Sequence, residues 1–196
     1  MKKLSVLFLG VLFLAGCAET PSTQKPEKED VLKSLRLAND YFMEKWSDPG
    51  EAIPYPSRKR NYETNVWTRA YYYEGLIDLW EIDPQQRYLD YMLEWGNKHD
   101  WKLRSTKNGW KTRNADNQCA GQAYLYLYQL DPEKPERYIT NIKTSIDSMM
   151  VTDKIDDWHW IDAVQMAMPI FAQLGNITGD TAYYERAYEM YNYTKT

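Results

Sequence analysis

The chain has 196 residues and a formal net charge of −4. This mildly acidic balance, with no basic stripe, argues against a nucleic-acid partner, and the length fits one domain or part of a larger one. Tyrosine and tryptophan are abundant, with 17 and 8 copies against 4 phenylalanines. Their rings can stack on sugars, so the composition favours a carbohydrate ligand, although the packing of aromatic helices against one another accounts for most of them.

The first predicted element is a targeting segment. Two lysines precede an apolar run, residues 4–15, which is short for a membrane span of about 20 residues and has the layout of a secretory signal. The run ends in Leu14-Ala15-Gly16-Cys17, which resembles the lipobox of bacterial lipoproteins. Residues 1–17 are therefore predicted to be a lipoprotein signal peptide lipidated at Cys17, and an ordinary cleaved signal is the alternative.

A polar tether is predicted next. Residues 18–30 are rich in Pro, Lys, Glu and Thr and offer few apolar groups to bury. The tether would hold the remaining domain, residues 31–196, at a membrane surface through the acyl chains alone. The expected location is the cell envelope of a bacterium, at the outer membrane or in the periplasm.

The rest of the chain reads as helices. Apolar residues recur at helical spacing, as Leu32, Leu35 and Phe42 do, and no convincing strand alternation appears. A polar loop is expected at residues 100–113. The periodicity predicts about seven helices, near residues 28–46, 64–80, 84–98, 116–130, 135–150, 160–174 and 181–193.

These helices are predicted to form hairpins in repeat. Asp83-Pro84, Asp131-Pro132 and Gly179-Asp180 each end one helix and start the next, at spacings of about 45–50 residues. An open solenoid and a closed ring of inner and outer helices, an (α/α) barrel, both suit the pattern. In a ring, the second, fourth and sixth helices would point their N-termini at one face.

Those three N-termini carry the candidate chemistry. Asp116 and Asp162 fall near the starts of the fourth and sixth helices, with tryptophans available as walls. Paired carboxylates with stacked aromatic rings are typical of glycosidases. Aspartate is also a common residue of a first helical turn, because it satisfies free backbone N–H groups, so each aspartate alone favours a capping role. Their joint placement on one face favours catalysis.

Two stretches of the sequence also resemble a known group of enzymes. Residues 113–122 (RNADNQCAGQ) and 157–167 (DWHWIDAVQMA) look like the two acidic motifs of unsaturated glucuronyl and rhamnogalacturonyl hydrolases, glycoside hydrolase families 88 and 105. The ending YEMYNYTK, residues 188–195, fits the latter family. The Trp-x-Asp-x-x-x-Met core, Trp160 to Met166, is the most specific part, and the resemblance extends over essentially the whole mature chain.

The resemblance implies an all-α (α/α)6 barrel with Asp162 as general acid/base and Asp116 as a second essential aspartate. The implied substrate is an oligosaccharide ending in a 4,5-unsaturated uronic acid, as polysaccharide lyases leave it. The acid protonates C4, water adds at C5, and the hemiketal opens to release the remaining sugar. Rhamnogalacturonan oligosaccharides are the first expectation, and glycosaminoglycan-like oligosaccharides are the alternative.

Further residues are predicted to bind the substrate. Arg113 and Arg69 are the local candidates for pairing with the uronate carboxylate. Cys119 is expected to be a small core residue. The full set of predicted substrate-binding residues is Trp160, Trp158, His159, Trp67, Arg113 and Asn117.

Two qualifications accompany the enzyme prediction. The chain supplies about seven of the twelve helices that such a barrel contains, so it is expected to be the N-terminal part of an incomplete barrel and to be inactive or poorly soluble alone. An inactive glycan-binding lipoprotein and a purely structural helical repeat are the other readings.

No metal-ligand cluster or phosphate-binding glycine loop is evident in the sequence, so no cofactor is predicted.

Overall fold

The computed structural model describes residues 25–55, 60–104 and 111–195, and it confirms the all-α fold class. The chain is mostly helical, with one short two-stranded hairpin and a short 3-10 helix at Glu136–Tyr138. The helices and strands are α1 Lys28–Lys45, β1 Ile53–Tyr55, β2 Arg60–Tyr62, α2 Trp67–Ile82, α3 Gln86–Lys98, α4 Ala115–Gln118, α5 Ala120–Leu130, α6 Thr140–Met150, α7 Ile161–Thr178 and α8 Ala182–Thr194.

The helices form an arc of two layers. Inner helices α2, α5 and α7 contact one another in that order, and α4 continues into α5. In the outer layer, α3 packs on α2, α8 packs on α7, and α6 contacts the 3-10 helix that packs on α5. This alternation of inner and outer helices is the ring arrangement that the hairpin pattern allowed, present here as part of a barrel.

Close packing between the layers depends on small residues in the inner helices. At Gly121 of α5, a Cβ atom would lie 2.5 Å from Cγ1 of Ile142 in α6, well inside van der Waals contact. Ala120 and Ala123 are likewise buried. The small residues of the fourth predicted helix therefore allow neighbouring helices to pack closely, as the sequence indicated.

Aromatic rings fill the core between the layers. Tyr73 stacks on Trp95 with ring centroids 3.9 Å apart, and Trp101 stacks on Tyr138 at 3.5 Å. These four residues are buried. Stacked rings bury large apolar areas. The indole N–H groups find partners, since Trp95 Nε1 donates to the carbonyl of Thr64 and Trp101 Nε1 donates to Asn97 Oδ1. Most of the aromatic residues thus serve packing, as the sequence indicated.

The inner faces of α2, α5 and α7 are polar and cross-linked. Gln165 on α7 donates a hydrogen bond to Glu74 on α2 at 2.8 Å, and Gln122 on α5 donates to the carbonyls of Gln165 and Met166. Side-chain amides can donate and accept at once, so they join helices across a surface that solvent reaches. The three inner helices are thereby held in register below their N-terminal ends.

Several elements differ from the sequence prediction, and the fourth predicted helix is divided at Cys119 into α4 and α5. Helix α2 begins at Trp67 rather than near residue 64, because Thr64, Asn65 and Val66 are buried in a non-helical turn before it. The fifth predicted helix is interrupted after the 3-10 turn at Ile139. The strands β1 and β2, which pair Ile53 with Tyr62, were not predicted, because three residues are too few to show alternation.

The N-terminal predictions fall mostly outside the described residues. The signal peptide 1–17, Cys17 and most of the tether 18–30 lie there. Helix α1 begins at Lys28, so the end of the predicted tether is helical. Among the helices that the structure describes, none is both long and apolar enough to cross a membrane.

Candidate active site

One cleft gathers the N-terminal ends of three inner helices. Its volume is about 400 Å³, and it opens where α2, α4 and α7 begin. The same-face arrangement expected for the second, fourth and sixth predicted helices is therefore present. The residues that line the cleft are Tyr55, Tyr62, Val66, Trp67, Thr68, Arg104, Asp116, Trp160 and Asp162.

The two aspartates in this cleft are not used as helix caps. Asn114 caps α4, its side chain accepting a hydrogen bond from the backbone N–H of Asn117. At the start of α7, the N-cap residue Trp160 makes no side-chain capping bond. Within the described residues, neither Asp116 nor Asp162 takes part in a hydrogen bond or an ion pair. Both carboxylates are thus available to a ligand.

The surroundings of Asp116 alter its acidity. Partial burial raises the pKa of Asp116 above its ordinary value, the negative charge of Asp162 raises it further, and the positive charge of Arg104 lowers it. Burial and a like charge nearby both disfavour the ionised form of a carboxyl group. Asp116 therefore ionises less readily than an isolated aspartate does.

Aromatic side chains form the walls. Trp67, the first residue of α2, remains 40% exposed although tryptophan usually packs inside, and its ring meets Tyr71 edge-on at 6.2 Å. Trp160 is half-buried beside the acid of α7. Exposed aromatic faces next to carboxyl groups suit stacking against a sugar ring.

The hairpin closes one side of the cleft. Tyr55 on β1 and Tyr62 on β2 meet edge-to-face with ring centroids 4.8 Å apart. The guanidinium of Arg104 lies 5.5 Å from the centroid of the Tyr62 ring. A planar cation over an aromatic face is a favourable arrangement, so the hairpin also orients the arginine.

The chain that forms this cleft is similar to known proteins. Residues 35–196 match the model of glycosyl hydrolase family 88. The chain belongs to glycosyl hydrolase family 88. No curated protein matches it significantly.

Solved structures agree on the fold of this family 88 chain. It is similar to a glycosyl hydrolase family 88 protein from Bacteroides vulgatus, with a TM-score of 0.73 and 24% identity over 85% of this chain and 47% of that one. It is also similar to a protein described as a polysaccharide lyase, with a TM-score of 0.71 and 23% identity over 84% of this chain and 46% of that one. The chain thus spans about half the length of these structures.

Trp158 and Asn117 are not placed in the cleft, in contrast to the sequence prediction. The Trp158 ring is 0% exposed and meets Phe171 edge-on at 5.7 Å, inside the core. Asn117 is buried behind the first turn of α4, and its Nδ2 faces Thr112 at 3.5 Å. Trp158 lies in the loop before α7 and Asn117 lies within α4, and both side chains are buried away from the cleft.

Arg113 supports the site from outside rather than lining it. Its Nε donates to both oxygens of the buried Asp157 carboxylate at 3.0 and 3.1 Å, and Nη2 completes the pair. Further bonds reach Thr152 and the carbonyl of Lys154. The predicted carboxylate-binding role is therefore replaced by a structural one, since the guanidinium holds the loop that leads into α7.

Two other predicted residues also lie apart from the cleft lining. His159 is exposed, and its ring meets Trp160 edge-on at 4.2 Å. Arg69 is buried with its guanidinium 4.8 Å from the Phe42 ring centroid and 4.9 Å from that of Trp46. The second candidate for binding a carboxylate is thus enclosed between aromatic rings.

Cys119 occupies the core position that the sequence indicated. Its thiol donates to Glu74 at 3.2 Å, and burial raises its pKa far above the ordinary value, which makes it a poor nucleophile. Over the described ranges, no group of three or more His, Cys, Asp or Glu side chains is arranged to hold a metal ion.

The sequence did not predict that Arg104 and the hairpin tyrosines line the cleft. Residues 100–113 read as a polar loop, yet Trp101 and Leu103 are each 1% exposed. The alternation of Trp101 and Leu103 with polar residues was the available signal, because it marks an anchored segment that ends at Arg104. The tyrosines gave no comparable signal, since their strands are too short.

Proposed function

We propose that this family 88 chain supplies the acid machinery of an enzyme that removes a 4,5-unsaturated uronic acid from the non-reducing end of an oligosaccharide. The observation that carries the proposal is the shared cleft of Asp116 and Asp162, with Trp67 and Trp160 beside them. Neither carboxyl group has a hydrogen-bond or ion-pair partner among the residues that the structure describes. The acidic motifs that resemble those of unsaturated uronyl hydrolases support it.

In the proposed reaction, the two aspartates have different roles. Asp162 donates its proton to C4 of the double bond, and the positive charge that develops at C5 is stabilised by the Asp116 carboxylate. Water gives its hydroxyl to C5 and returns its proton to Asp162. The resulting hemiketal opens by breaking the C5–ring-oxygen bond, and C1 then expels the remaining sugar as an alcohol. One water is consumed for each bond cleaved.

Rhamnogalacturonan fragments are the proposed substrate, and glycosaminoglycan fragments are the second candidate. The sequence ending YEMYNYTK, which fits the rhamnogalacturonyl type, favours the first. The test incubates the protein with lyase-digested pectin and, separately, with lyase-digested chondroitin, and follows the ultraviolet absorbance of the conjugated double bond. Faster decay with pectin fragments is expected. Faster decay with chondroitin fragments would assign the glucuronyl type, and binding without any decay would make the protein a glycan-binding module.

We further propose that the protein is anchored in the bacterial cell envelope by a lipid on Cys17. The support is the sequence Leu14-Ala15-Gly16-Cys17 after an apolar run. Cells fed an alkyne-tagged fatty acid should label the wild-type protein, and Cys17→Ser should lose essentially all of that label. Equal labelling of the two proteins would contradict the lipid anchor.

A further inference from the structure

Arg104 is the cation of the cleft. Among the described residues that line it, Arg104 alone carries a positive charge, against the two aspartates. It forms no ion pair with any carboxylate in the described ranges, although most other arginines there do pair with one. An arginine beside two acids and without an ion-pair partner retains donors for an anionic ligand.

The backbone that carries Arg104 is fixed more firmly than that of an ordinary surface loop. The carbonyl of Lys102 accepts hydrogen bonds from Asn65 Nδ2 at 2.9 Å and from the hydroxyl of Tyr124 at 3.3 Å. The N–H of Leu103 donates to Asn141 Oδ1 at 2.8 Å. These bonds come from three different parts of the fold, so the arginine is presented from a rigid support.

The chemistry of the substrate calls for a cation or several hydrogen-bond donors at this place. A 4,5-unsaturated uronic acid carries its carboxylate on C5, directly beside the carbon that receives the proton. Any group that binds the carboxylate must therefore lie in the same cleft as the acid. Arginine suits this task, because its planar fork matches a carboxylate with two parallel hydrogen bonds.

We propose that Arg104 binds the carboxylate of the terminal unsaturated uronate and so selects the charged sugar over neutral sugars. This inference rests on the proposed function for the identity of the sugar. Tyr62 contributes by stacking under the guanidinium, 5.5 Å from its ring centroid, which keeps the fork in the cleft. The role differs from that of Arg113, whose donors are taken by Asp157.

The test measures binding rather than turnover, so that it is separate from the proposed reaction. In an Asp162→Asn background, calorimetry compares an unsaturated uronyl disaccharide from digested pectin with its C6 methyl ester. Arg104→Gln should weaken binding of the free acid about 10- to 100-fold while leaving binding of the ester nearly unchanged. Arg104→Lys should recover part of the loss. Arg87→Gln, an exposed arginine on α3 paired with Asp40, is the control.

Two outcomes would overturn the inference. One is equal weakening of acid and ester by Arg104→Gln, with an unchanged melting temperature, which would show a role in cleft shape. The other is unchanged affinity for the acid. If the wild-type protein does not consume the double bond, the proposed reaction fails, whereas discrimination between acid and ester in the binding experiment still decides the role of Arg104.

Discussion

Replacing Asp162 by asparagine is expected to lower the rate of double-bond consumption by about 10³-fold or more, which leaves no decay of absorbance on the usual time scale. The amide has nearly the shape of the carboxylic acid but supplies no acidic proton to C4. Because Asp162 makes no hydrogen bond within the described part of the chain, the substitution should not disturb folding. Stopped-flow or steady-state absorbance with unsaturated disaccharides measures the effect.

The matched control for this substitution is Asp153→Asn, in the loop that precedes α7. Asp153 is exposed and lies outside the cleft lining, so its loss should leave the rate within about twofold of wild type, as surface substitutions generally do. Substantial turnover by Asp162→Asn, at more than a tenth of the wild-type rate, would remove Asp162 from the role of acid.

Asp116→Asn is expected to lower the same rate by about 100-fold or more, for a different reason. The substitution removes the negative charge that would stabilise the cation developing at C5. Steady-state absorbance with unsaturated disaccharides measures the effect, and a rate within about twofold of wild type would contradict this role.

The same substitution should stabilise the protein at neutral pH. The pKa of Asp116 in the folded state is raised above its ordinary value of 3.8, so the folded protein binds more protons than the unfolded chain just above that pH. The free energy of unfolding then falls as the pH rises through this window. At neutral pH the wild type is therefore less stable than a variant with an uncharged side chain at this position. A melting temperature about 1–3 °C higher for Asp116→Asn at pH 7, with no difference below the ordinary carboxyl pKa, is expected. A lower melting temperature at pH 7 would show a structural role.

The arrangement of the helices was largely predictable from the sequence. Helical periodicity located each long helix to within a few residues, and the Pro and Gly connectors gave the hairpins. The buried turn at Thr64 and Asn65 was not predictable, because its hydrogen bonds reach His99 and Lys102, which are distant in sequence. Tertiary contacts, rather than local preference, determine where α2 begins.

The acids of the site were more predictable than the residues around them. Asp116 and Asp162 follow from their positions in first helical turns of parallel inner helices. Whether a neighbouring side chain faces the cleft or the core depends on the loop that leads into each helix. Trp160, the N-cap residue of α7, lines the cleft, whereas Trp158, two residues earlier, is buried in the core. Arg104 comes from a loop, so no periodicity indicated it.

The most direct test of the account compares an unsaturated uronyl disaccharide with its counterpart in which the C4–C5 bond is saturated. A mechanism that begins with protonation of the double bond predicts release of the second sugar from the unsaturated substrate alone, together with loss of its ultraviolet absorbance. Chromatography of the released sugar measures both reactions. Release from the saturated counterpart at a comparable rate would show direct attack at the anomeric carbon and contradict the role proposed for Asp162 and Asp116.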